Sequence, residues 1–170
     1  MKQITVTNRG QVKRFDVPAG WTETTPARGI GDVDYLQEFT SAQNDAVQLS
    51  FYYRGKRVNK ATAAEFMKVL ASAPHELSPT EREEVELILR DAAETQWFDL
   101  QSLRTDEINK KKVLIVEGIW RKNRLSNLGI FLDTDGTGSA IQEIHYLAPE
   151  EEYKQFLPIA LNAINSIEWK

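Results

Sequence analysis

The stretch Lys111–Leu147, KKVLIVEGIWRKNRLSNLGIFLDTDGTGSAIQEIHYL, decides how this chain folds. Side chains alternate across a strand, so Leu114, Val116 and Trp120 point to one face of its first part and Val113, Ile115 and Ile119 to the other. A strand apolar on both faces must be covered on both faces and belongs in the middle of a sheet. Two further apolar runs follow, Asn127–Leu132 and Ala140–Leu147, joined by Asp133-Thr134-Asp135-Gly136-Thr137-Gly138. Such a loop is a hairpin signal: Gly tolerates positive φ, and Asp and Thr bond their own backbone. Three antiparallel strands in sequence make a meander.

Upstream, the apolar spacing changes from two to three and four. Ala63, Phe66, Met67 and Leu70 form one amphipathic stripe, ending near Ala73-Pro74. Ser78-Pro79-Thr80-Glu81 then supplies an N-cap, a proline at the first helical position and the glutamate of a capping box. Val85, Ile88, Leu89 and Ala92 give the second helix its buried stripe. The first 53 residues read as strands at Val12–Val17, Val33–Thr40 and Ala46–Tyr53. In the last of these Val47, Leu49, Phe51 and Tyr53 form the core face, while Gln48, Ser50, Tyr52 and Arg54 form the wet one. From Pro149 to about Ser166 the chain reads as helix, with Tyr153, Phe156, Leu157, Ala160, Leu161, Ile164 and Ile167 on one side and a kink or restart expected at Pro158. The order strands, helices, strands, helix predicts one α+β domain spanning residues 1–170, a mainly antiparallel sheet covered by helices.

Composition bounds the function. Of 170 residues 41% are hydrophobic, enough for a sizeable core, and 21 Lys and Arg stand against 25 Asp and Glu. A formal net charge of −4 disfavours nucleic acid as partner, because that affinity rests on a cationic surface. With no cysteine, disulfides, thiolate nucleophiles and Cys-based zinc sites are closed. No apolar run approaches the ~20 residues of a membrane helix, and Met1–Asn8 lacks the apolar core of a signal peptide, so no membrane insertion and a cytoplasmic location are expected. The charge is uneven: residues 61–107 carry four basic and eleven acidic groups, and 108–128 carry six and one. Arg54, Lys56 and Arg57 extend one strand, and Arg121, Lys122 and Arg124 extend another. If the two clusters meet at one end of the sheet, they offer a dock for an acidic protein or a phosphate-bearing ligand.

Catalytic constellations are sparse. Gly129-Ile130-Phe131-Leu132-Asp133-Thr134-Asp135-Gly136-Thr137 resembles the first motif of haloacid-dehalogenase-type phosphatases, with Asp133 as nucleophile and Asp135 as acid/base. That family sets the motif near the start of a parallel domain, with a later lysine and acidic pair, whereas 37 residues follow Asp133 here. As a calcium loop the stretch ends on Ile144 where a bidentate glutamate is needed. A plain hairpin accounts for the whole loop. Of the two histidines, His75 falls in the connection between helices, and His145 shares a strand face with Glu143, with Glu117 on a nearby strand. Glu117, Glu143 and His145 form the conceivable mixed metal site.

Several segments together resemble the PsbP-like superfamily: Phe15-Asp16-Val17-Pro18-Ala19-Gly20-Trp21, the helix after the early strands, the meander, and the close from Ala148-Pro149-Glu150-Glu151-Glu152-Tyr153 to Ser166-Ile167-Glu168-Trp169. That superfamily also includes periplasmic DcrB-type proteins, the nuclear-import factor that binds the GTPase Ran, and adaptor chaperones of type VI secretion effectors. The resemblance implies an α/β/α sandwich and a binding or assembly role, and it transfers no catalytic residue. The expectation is therefore a non-catalytic module with a protein partner, no cofactor and no metal, binding through Tyr52, Arg54, Arg57, Trp120, Arg121 and His145. An adaptor chaperone for a secreted effector, and a metal-dependent hydrolase using Asp133/Asp135 or Glu143/His145, are the alternatives.

Overall fold

The meander takes four strands rather than three: β6 (Phe98–Ile108), β7 (Lys111–Trp120), β8 (Leu125–Asp133) and β9 (Ala140–Pro149), each antiparallel to the next. This is a computed structural model describing residues 2–6, 10–30 and 34–170. Ahead of the meander come β1 (Lys2–Thr5), β2 (Val12–Val17), β3 (Trp21–Ile30), β4 (Asp34–Ser41) and β5 (Gln48–Lys56), then α1 (Lys60–Ala71), α2 (Pro79–Glu84), α3 (Glu86–Leu89) and a 3₁₀ turn at Arg90–Ala93. After β9 follow α4 (Tyr153–Asn165) and β10 (Glu168–Trp169). Val33, expected to open a strand, and Met1, Thr7 and Asn8 of the amino-terminal segment lie outside the described residues.

Two antiparallel meanders meet edge to edge through the β5–β9 pair, giving the order β3-β4-β5-β9-β8-β7-β6. Because β5 is near the middle and β6 is the far edge, the connection holding α1, α2 and α3 must cross one face of the sheet. That face closes over Phe66, Leu70, Val85, Ile88, Phe98, Leu103, Leu114, Val116 and Phe131. The opposite face is covered by α4 and by a three-stranded sheet of order β1-β2-β10, over Phe15, Phe39, Phe51, Ile115, Ile130, Ile144 and Tyr146. The layers are those of an α/β/α sandwich, with the small sheet as an addition that the sequence pattern did not announce. β3 was missed because Pro26 interrupts it, and β1 because it is four residues long.

The remaining differences have local causes. The expected second helix is split: Val85 leaves helical geometry and Arg90 stands at φ +54°, although Val85, Ile88, Leu89 and Ala92 are all buried as their spacing required. The capping box forms, with Glu81 N–H donating to Ser78 Oγ at 3.2 Å and Ser78 N–H to Glu81 Oε1 at 3.0 Å. α4 runs uninterrupted through Pro158, which lies on its exposed side, where water can satisfy the carbonyl one turn back. Its stripe includes Ala163 and leaves Leu161 37% exposed. The face of β5 read as wet is covered at Ser50 and Arg54, because α3 lies over it.

Candidate functional site

β5 and β9 pair with Tyr52 opposite Glu143 and Ser50 opposite His145, so the polar sides of both strands face the crossing helices. The ladder shifts register between Tyr53 and Gly55, and Arg54 is the extra residue. Bulges of this kind redirect a side chain. The Arg54 guanidinium, 3% exposed, donates from Nη1 to Ile88 O at 2.6 Å and from Nη2 to Leu87 O at 3.0 Å. Those carbonyls belong to the last turn of α3, which has no intrahelical donor for them, so a cation from the sheet caps the short helix.

Glu143, 4% exposed, is the hub beneath. Its Oε2 accepts from Arg90 Nη2 at 2.7 Å and Arg54 Nη1 at 3.3 Å, and its Oε1 lies 2.9 Å from His145 Nε2. A carboxylate only accepts, so His145 Nε2–H is the donor in this contact. Nδ1 lies 3.1 Å from Asn127 Oδ1 on β8. Gly129 makes room for the ring: a Cβ there would stand 3.1 Å from His145 Cε1. Burial raises the Glu143 pKa, but the hydrogen bond and charge of His145, with Arg90 and Arg54, outweigh it and hold the carboxyl below its ordinary range. Burial, opposed by Glu143 and reinforced by Arg90, lowers the Arg54 pKa.

Two recesses open from this cluster. One, about 300 Å³, is lined by Tyr52, Arg54, Arg57, Asn59, Leu87 and Arg90. The other, about 190 Å³, is lined by Arg90, Asp91, Trp120, Phe131, Glu143 and His145. Of the six residues singled out by sequence, Tyr52, Arg54 and Arg57 share the first recess, and Trp120 and His145 the second. Arg121 belongs to neither. Its Nε donates to Thr95 O at 2.7 Å, at the far end of the molecule. The two basic clusters therefore do not converge. Two strands separate β5 from β7 in an antiparallel ladder, so their carboxy ends point opposite ways.

Other sequence candidates disperse as well. Glu117 lies on the opposite face from Glu143 and His145, paired with Arg104 at 2.7 Å, so the three do not form the conceivable metal site. Both carboxylates of the 133–138 loop are bonded within it: Asp133 accepts from Gly136 and Gly138 N–H at 2.7 and 2.8 Å, and Asp135 from Thr137 N–H at 3.0 Å. Gly138, at φ +78°, sits where a Cβ would collide with the Ala63 carbonyl, which packs the loop onto α1. His75 caps an edge: its carbonyl accepts from Thr105 N–H at 2.9 Å, and the segment at 75–77 runs along the outer side of β6. Among the described residues no three His, Asp or Glu side chains gather as a metal site. Arg90, Asn59 and Leu87 were missed. Arg90 falls inside the expected stripe, between Leu89 and Ala92, and it reaches Glu143 where the helix breaks, which no sequence signal marked.

The central sheet, its edge-to-edge meanders and its helical layers define a PsbP-like fold. The solution structure of cyanobacterial PsbP (CyanoP) from Synechocystis sp. PCC 6803 superposes with a TM-score of 0.56 over 99% of this chain and 92% of that one, at 11% sequence identity. A likeness at that identity concerns the fold alone. No protein-family model and no curated protein matches the chain. Among the described residues no helix is long and apolar enough to cross a membrane.

Proposed function

We propose that this chain is a non-catalytic protein-binding module working in the cytoplasm, and that it meets its partner through the segment running from α3 into β6. One observation carries the reading: Leu87 and Trp97, both on that segment, are 59% and 51% exposed, the largest exposures among the big apolar side chains of the described residues. Large exposed apolar groups beside polar ones are characteristic of interaction surfaces, and Trp is enriched among residues that dominate binding energy. Arg57 and Arg90 flank Leu87, while Glu86, Asp91 and Glu94 lie along the same segment, so the surface offers charges of both signs to a partner. The ionisable groups below are engaged with one another, as a positioned scaffold requires. The sequence resemblance to binding and assembly proteins points the same way.

Capture by the immobilised chain tests this. The wild type is expected to hold a partner in a salt-sensitive manner, and a Leu87→Ser/Trp97→Ser variant with an unchanged melting transition is expected to lose it. Equal capture by both, or turnover of a small molecule by the pure chain, overturns the reading.

A further inference from the structure

We propose that the recess between β5, α3 and the start of α1 is a binding site for the phosphate group of a small phosphomonoester. Three guanidiniums, Arg54, Arg57 and Arg90, line one space of about 300 Å³, at the lower end of small-molecule sites. Arg54 and Arg90 share the single carboxylate of Glu143, so the inner wall carries a net positive charge. Arg54 is buried, and its Nε–H finds no acceptor among the described residues. A buried donor left unmade costs free energy.

Two independent features agree. Asn59, which lines the recess, is the N-cap of α1, a twelve-residue helix with no acidic side chain in its first turn. The amides at such an end favour an anion. Arg90 holds φ +54°, a region costly for any residue with a Cβ, with its guanidinium 5.6 Å from the centre of the Tyr52 ring. Strain retained at a residue that faces a pocket points to a use for that side chain. Tyr52, Val58 and Leu87 supply an aromatic and apolar wall for the organic part of the ligand. The recess shares Leu87, Arg57 and Arg90 with the proposed partner surface, but it is tested with phosphate and the pure chain, so the two readings fail separately.

Calorimetric titration with phenyl phosphate and with inorganic phosphate, at matched ionic strength, tests it. Saturable binding is expected, weakened about tenfold by Arg57→Gln or Arg90→Gln, since each removes charge-assisted bonds, and unchanged by Lys122→Gln at the other end of the sheet. Tighter binding of phenyl phosphate identifies an organic phosphate as ligand, and equal binding identifies free phosphate; either supports the site. Amide shifts at Lys60 and Ala61 on titration locate the ion, because Thr62 N–H is held by Asn59 Oδ1 at 2.9 Å. The proposal is overturned by no saturable binding to the folded wild type, by binding that both arginine variants retain in full, or by a penta-glutamate peptide binding where neither phosphate does.

Discussion

The two faces of the central sheet are held by different physics. Under α4 and the small sheet the packing is apolar and aromatic, with Phe15 5.0 Å from Phe39 and 4.7 Å from Phe51 between ring centres. Under α1–α3 an apolar cluster of the same kind surrounds one network of charge, in which Glu143 holds Arg54, Arg90 and His145. An apolar face loses stability in proportion to what is removed from it. A buried ionic network contributes little as a whole but is costly to break in part, because the surviving partner is left charged and unpaired. The two recesses open on the second face, where polar groups are already desolvated and oriented.

Neighbouring residues on one strand put this to the test. Glu143→Ala is expected to cost about 3–5 kcal/mol in urea denaturation, since it strands two guanidiniums. A loss below about 1 kcal/mol would break the contrast. Acid comes next. Glu143 is held below its ordinary value of 4.5 in the folded state, so its contribution is present above that pH and is lost as pH falls through the lower folded value. The stability of the wild type is therefore expected to fall more steeply below about pH 4.5 than that of Glu143→Gln, and parallel profiles would remove the network from the account. Smallest is Ile144→Val, one residue along and facing the apolar side, expected to cost about 0.5–1.5 kcal/mol with no pH dependence. A cost equal to that of Glu143→Ala would show that the two faces respond alike.

Much of the fold was legible because its signals are local. The β7 pattern, apolar on both sides, called for cover on both faces, and β7 has it, although it lies beside the edge strand β6 and not in the middle of the sheet; Ser78 with Glu81 named a helix start that the structure reproduces bond for bond. The four-residue β1 and the Pro-containing β3 were not legible, because such strands exist through their partners. The site was half legible. Tyr52, Arg54 and His145 stood out as polar or aromatic residues on strand faces, but their common neighbourhood depends on the β5–β9 register.

What the sequence determined by itself is therefore the class and the layers: periodicity and capping act over a few residues, and they require an antiparallel sheet with helices packed on it. Tertiary structure alone decided where the charges go. Strand order sends the clusters at Arg57 and Arg121 to opposite ends, puts Glu117 on the far face from Glu143, and brings Arg90, from a broken helix, onto a carboxylate 53 residues away. No local pattern encodes such encounters, because they are set by which strands pair and which face a crossing helix covers.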